Sequence, residues 1–186
     1  MKPPAQTTSL LPYPHGFFGR DGGVSAPPLD SLNGSPGSGD TRSFVDENRD
    51  RVRRSLGATS LVTANQTHSA IALLVAAPFD YETRPEADGM VTTTKGLALA
   101  VLTADCVPIL FSAPGVVGVA HAGWRGSLFG ITENTILTME EAGAERSVIC
   151  AALGPSLRAP DFEVRADLVS AVKEKYPHAD CFFVKR

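Results

Sequence analysis

Three side chains able to bind a soft or borderline metal ion stand at polar breaks beside apolar runs: His68, Cys106 and His121. They lie 38 and then 15 positions apart, so no local motif such as Cys-x-x-Cys links them. What they share is a place at the end or corner of a predicted strand, where loops converge above a sheet. A set of two histidines and one cysteine leaves one tetrahedral position open, as in a catalytic rather than a structural zinc site. An ion held there acidifies water and polarises an attacking or leaving oxygen. The same trio suits copper, since two histidines and a cysteine with a distant methionine form a blue-copper set. Met1 is terminal and Met139 falls on a predicted helix face, which leaves Met90 as a poor axial ligand. Zinc is therefore the expected ion and copper the alternative. Taken singly, each residue also has an ordinary reading, the cysteine as a small hydrophobe and each histidine as a hydrogen-bonded core residue.

The neighbours of these three add chemistry. Asp105 precedes Cys106 and reads as a partner of the metal site or an acid/base group, or else as a turn aspartate capping backbone amides. Arg125 lies between Gly123 and Gly126, just before a helix predicted to begin near Ser127. Glycines and an arginine at a helix start make a natural anion site. No Gly-Lys-Ser/Thr follows, so it is not a nucleotide P-loop. Trp124, the only tryptophan, either stacks on a flat ligand or plugs the turn. His15 and His178 have no such company.

The elements that must hold these residues are mixed. Residues 1 to 43 are rich in Gly, Pro and Ser, yet Phe17, Phe18, Leu29 and Leu32 predict ordered, anchored loops rather than a flexible tail. SFVDENRDRVRRSLG reads as a helix capped by Ser43, with Val45, Val52 and Leu56 on one face and Gly57 at its stop. LVTANQTHSAIALLVA gives extended segments on either side of Thr67-His68-Ser69, and Ala87-Asp88-Gly89 is a turn signal. GLALAVLTADCVPILF reads as strand, polar corner, strand, because Pro108 would break a helix there. Val116 to Ala120 forms a further strand ending at His121. One helix is predicted from SLFGITENTILTMEEAG, with Leu128, Ile131, Thr135, Met139 and Ala142 at helical spacing and Gly143 at its end. A short strand over VICAALGP and a helix over ADLVSAVKEKYP follow, and the apolar CFFVKR run has no predicted closing element. Strands and helices mix without regular alternation and without internal repeats, which predicts one mixed α/β (α+β) domain over residues 1–186. Mixed sheets flanked by helices would carry a cleft at the strand ends.

Bulk properties narrow the function classes. At 186 residues the chain is long enough for one sizeable core and too short for two ordinary domains. The formal net charge is −3, so no global basic field points to nucleic acid. The cluster Arg49, Arg51, Arg53 and Arg54 is interrupted by Asp50 and preceded by Asp46 and Glu47, which reads as a solvated helix face. MKPPAQTTSL has no apolar core of a signal peptide, and GLALAVLTADCVPILFSA carries Asp105 and Pro108, so no membrane span is expected. Three unpaired-looking cysteines fit a reducing cytoplasm.

Four segments occur together and in order: Asn65-Gln66-Thr67-His68, Thr103-Ala104-Asp105-Cys106-Val107-Pro108, His121-Ala122-Gly123-Trp124-Arg125-Gly126 and Leu153-Gly154-Pro155. In these, and in HGFFGRDGGVS, SLN and DENR, the chain resembles the YfiH/laccase-domain family, also called the polyphenol oxidase or purine nucleoside phosphorylase family. The resemblance implies a zinc held by His68, Cys106 and His121. It also implies phosphorolysis of adenosine, inosine, guanosine or methylthioadenosine to the base and a ribose 1-phosphate, and deamination of adenosine. An older assignment in the family is copper-dependent oxidation of phenols, and a metal-stabilised binding protein of cell-envelope metabolism is the non-enzyme alternative. On this reading Arg125 and Arg20 hold phosphate or ribose, Asn33 and Gln66 offer amide hydrogen bonds to the nucleoside, and Asp105 moves protons beside the metal. Small-molecule substrates are expected, with a monomer or homodimer. The family pattern continues past Phe183 into a further helix, strand and aromatic-basic terminus, whereas this sequence stops at Arg186; a chain ending there is expected to leave the cleft short of a wall.

Overall fold

A computed structural model describes residues 2–184. The strands in chain order are β1 Ala5–Gln6, β2 Phe17–Phe18, β3 Ser60–Val62, β4 Ala72–Leu74, β5 Gly89–Thr92, β6 Leu97–Leu99, β7 Val107–Ala113, β8 Val116–Ala122 and β9 Cys150–Leu153. The α-helices are α1 Arg42–Ser55, α2 Trp124–Phe129, α3 Ile131–Glu141 and α4 Ala166–Lys175.

The strongest pairing is local. β7 and β8 are the two longest strands, joined by Pro114-Gly115, and pair antiparallel from Ala113↔Val116 out to Val107↔Ala122. That register carries Pro108 opposite His121 at the far end of the hairpin, where the chain leaves both strands. β5 adds antiparallel to the other side of β8, β4 adds parallel to β5, and β9 adds antiparallel to β7, giving the order β4-β5-β8-β7-β9. β3 and β6 form a small parallel pair, and β1 and β2 a short antiparallel one.

Alternation along the strands divides two cores between the faces of the large sheet. On one face Val91, Ile109, Phe111 and Ala120 pack with Ile131 and Met139 of α3. Ile131, Thr135 and Met139 recur at four-residue spacing, so they share one buried stripe of that helix. Burying an Ile or Met side chain contributes about 1.5–3 kcal/mol, enough to fix α3 across the strands. On the other face Met90 and Val119 pack with Val62 and Leu97 of the small sheet.

Two expectations need correction. The single helix predicted from Ser127 is two helices, and the first begins earlier, at Trp124. They separate at Gly130, whose φ of 94° lies in the left-handed region that interrupts an α-helix but costs glycine little. Helix α1 starts at Arg42 with Thr41 at its cap position, so Ser43 is inside the helix and caps nothing. It carries intrahelical pairs, Arg42–Asp46, Arg51–Glu47, Arg53–Asp50 and Arg54–Asp50. Its arginine cluster is not wholly a solvated face, because Arg51 also donates to Gly22 O and Arg49 to Gly34 O and the Thr63 hydroxyl. Its inner face carries Asn48, 1% exposed, whose amide binds Ser25, Ser31 and Asn33 and accepts from Val24 N–H. One buried amide thereby orders the glycine-rich loop.

Candidate metal centre

His121 is the next-to-last residue of β8 and is 4% exposed, held there by the apolar run before it. Cys106 immediately precedes β7, and the hairpin register sets it beside the end of β8. His68 comes from the loop between β3 and β4 and has a φ of 59°, a rare backbone conformation for a residue with a side chain. One ligand atom from each of these three residues lies within 4.8 Å of the other two. The Cys106 Sγ is 4.0 Å from His68 Nε2, and the two imidazoles meet edge to face with centroids 4.8 Å apart. Ligands on a tetrahedral zinc with ordinary bond lengths stand roughly 3.3–3.6 Å apart, so a shift of about half an ångström would close the sulfur–nitrogen pair onto an ion.

Residues around the trio fit the same purpose. A Cβ on Gly123 would stand 2.8 Å from His68 Cδ2 and 3.1 Å from Cys106 Sγ, so a bare backbone is required at that point. Asp88, whose side chain is fully buried, accepts from His121 Nδ1 at 2.7 Å. It also accepts from the backbone N–H groups of Thr67, His68 and Ser69 and from the Ser69 hydroxyl. Burial by itself raises the Asp88 pKa, but the hydrogen bonds from His121, Ser69 and Thr67 outweigh it and hold the carboxyl below its ordinary value. An ionised carboxylate can only accept, so Nδ1 of His121 carries the proton and Nε2 is left as the ligand atom. The Cys106 thiol is pushed up, first by burial and then by the negative charges of Asp105 and Asp88, the environment of a sulfur that a cation would stabilise as thiolate.

Asp88 was legible only as part of a turn, and its role escapes the sequence. Gln66, expected on the nucleoside, forms a latch within the protein: Leu102 N–H donates to its Oε1 at 2.7 Å and its Nε2 donates to Leu102 O at 2.8 Å. This ties the His68 loop to the corner that carries Cys106. Asn33, also expected on the nucleoside, is engaged within its own loop, with Nδ2 on Ser38 and Asp40 and Oδ1 accepting from Ser35 N–H. Both amides thus have hydrogen-bond partners within the protein.

Arg20 and Asn33 line a cavity of about 1240 Å³ between the N-terminal loop, α1 and the sheet. Thr103 and Ala104 of the Cys106 corner line it too, but His68, Cys106 and His121 do not, so this space adjoins the metal centre without containing it. The Asp105 side chain is exposed beside Cys106, and its carbonyl accepts from Leu157 N–H. Arg125 is exposed in the first turn of α2, its guanidinium 4.4 Å from the Trp124 ring centroid. Trp124 thus supports the arginine. Met90 packs in the core with Val62 and Val119, and Met139 in the opposite core.

A family model described as multi-copper polyphenol oxidoreductase laccase matches residues 14–186. The chain belongs to this laccase family. Among the described residues, however, the laccase-family chain brings together one group of metal-ligating side chains. Two relatives bear the name purine nucleoside phosphorylase. That of Streptomyces coelicolor is 40% identical over 168 residues, covering 88% of this chain and 69% of that protein. That of Deinococcus radiodurans is 40% identical over 164 residues, covering 86% of this chain and 63% of the relative. The chain therefore spans about two thirds of the length of these relatives. In crystal structures the same fold occurs in a Neisseria meningitidis protein of family DUF152, with a TM-score of 0.82 and 35% identity over 95% of this chain and 72% of that one. YlmD from Geobacillus stearothermophilus gives a TM-score of 0.78 and 33% identity over 86% of this chain and 63% of that one. The mixed α/β fold and the YfiH/laccase-domain resemblance read from the sequence both hold. Among the described residues, no helix is long and apolar enough to cross a membrane.

Proposed function

We propose that the chain supplies the metal centre of a zinc-dependent purine nucleoside phosphorylase acting in the cytoplasm. The observation that carries this reading is the convergence of His68, Cys106 and His121 within 4.8 Å, and the names of relatives at 40% identity support it. Zinc bound to Cys106 Sγ and the two imidazoles would supply Lewis acidity beside the nucleoside. Among the described residues Met90 and Met139 are both engaged in the hydrophobic cores, so neither serves as the weak axial ligand of a blue-copper set, which favours zinc.

In phosphorolysis a phosphate oxygen attacks C1′ of the ribose as the C1′–N9 bond breaks. The bonding pair departs with the purine, which takes up a proton. Arg125, stacked on Trp124 and exposed two residues beyond Gly123, neutralises and orients the phosphate. Arg20, exposed on the adjoining cavity, holds the far end of the substrate, and Asp105 relays the proton to the leaving base. Asn33 and Gln66 act one step back, by fixing the loops that carry these groups. Adenosine, inosine, guanosine and methylthioadenosine are the proposed substrates, and adenosine deamination is a second proposed activity.

Zinc-loaded protein incubated with adenosine and phosphate should release adenine and ribose 1-phosphate, seen by chromatography, and Cys106→Ala should release neither. Inosine formed without phosphate reports the deaminase reaction separately. If zinc-loaded protein yields no base from any of the four nucleosides, the phosphorylase reading is wrong.

A further inference from the structure

We infer that Asp88 is the positioning residue of the metal centre, one carboxylate that selects the nitrogen His121 offers and holds the His68 backbone where it can meet it. The inference rests on the reading of His68, Cys106 and His121 as metal ligands.

The two carboxylate oxygens divide the work. Oδ1 takes His121 Nδ1 at 2.7 Å and His68 N–H at 3.1 Å. Oδ2 takes Thr67 N–H at 3.2 Å, Ser69 N–H at 2.6 Å and the Ser69 hydroxyl at 2.8 Å. Three successive backbone N–H groups therefore converge on one side chain, and the middle one belongs to the residue with φ of 59°. Left alone, a histidine seldom keeps that conformation. The same side chain reaches across to the end of β8, so one group orients the His121 ring and holds the His68 backbone. Backbone pairing fixes the carboxylate in turn: Asp88 N–H donates to Ile71 O, and Asp88 O accepts from His121 N–H.

An amide cannot replace this carboxylate. Asparagine has one accepting oxygen, and its NH₂ group would face donors, either the His121 and His68 pair or the Thr67 and Ser69 group. Removing an outer partner of a metal-binding histidine typically lowers metal affinity about 10–100-fold.

The test compares zinc affinity by chelator competition in wild type and Asp88→Asn, together with the visible spectrum of the cobalt-substituted proteins. We expect zinc binding weakened about 10–100-fold and altered tetrahedral cobalt bands in the variant. In metal-free wild type, ¹⁵N NMR of the histidine rings should show His121 protonated at Nδ1 and bare at Nε2. Should Asp88→Asn fail to fold, Ser69→Ala removes one donor from Oδ2 while leaving the His121 bond; it should keep the tautomer and weaken zinc roughly fivefold. Equal zinc affinity with unchanged cobalt bands in Asp88→Asn, equal zinc affinity in Ser69→Ala, or an Nε2-protonated His121 in wild type, overturns the inference. Wild type that binds no zinc overturns the metal reading itself, and the inference with it.

Discussion

Asp88 and His121 are joined twice, by His121 N–H on the Asp88 carbonyl and by His121 Nδ1 on the Asp88 carboxylate, each at 2.7 Å. The pair extends the β5–β8 ladder one residue beyond Gly89↔Ala120. A sheet register and a ring orientation are thereby the same structural decision. The fold delivers the imidazole already turned, with its outer nitrogen free.

This pair predicts an acid limb in stability. The Asp88 pKa is lowered from 3.8, so the ionised form belongs to the folded state. Its contribution is complete above pH 3.8 and is lost as the pH falls through the lower folded value. Urea titrations between pH 3 and 7 should show wild type losing stability below about pH 4, and Asp88→Asn should show a flatter limb there.

Gly123→Ala should disable the site while sparing the fold. The new Cβ would fall 2.8 Å from His68 Cδ2 and 3.1 Å from Cys106 Sγ. We expect zinc affinity to fall at least about tenfold, by chelator competition, with a circular dichroism spectrum like that of wild type.

Metal affinity should rise with pH. Burial and the charges of Asp105 and Asp88 raise the Cys106 pKa above 9.0, so the ion-free thiol is protonated at neutral pH. Binding then expels that proton, and affinity should increase about tenfold per pH unit from this group alone. Calorimetry in buffers of different ionisation enthalpy should count about one proton released by wild type at pH 7.5, and Cys106→Ala should lose both the proton and the high affinity.

Gln66→Ala tests the latch between the two metal-bearing segments. Without its paired bonds to Leu102, the Cys106 corner is freed from the His68 loop. Zinc affinity should drop by roughly fivefold or more, and amide exchange at Leu102 should accelerate.

The site end of the β7–β8 hairpin was readable in the sequence because two apolar runs give way there to polar residues. That is why Cys106 and His121 stood out, while His68 stood out as a metal-binding side chain in a polar break between two apolar segments. Asp88 did not, because Ala-Asp-Gly is a local turn pattern and the groups that give it meaning lie 19 to 33 positions away. The break at Gly130 was hidden for a related reason. Leu128, Ile131 and Thr135 keep helical spacing through it, and periodicity does not register one left-handed residue. Residue type alone suggested Asn33 and Gln66 as amide donors, and it did not show the loop partners each one has in the fold. Residue type and place at strand ends find the ligands; only the folded backbone shows what aims them.

The central claim is that one zinc ion joins His68, Cys106 and His121, and anomalous diffraction across the zinc edge tests it most directly. The account predicts a single peak per chain, within bonding distance of Cys106 Sγ, His121 Nε2 and the His68 imidazole. A chain saturated with zinc whose anomalous peak lies away from these three atoms, or that shows none, would contradict it.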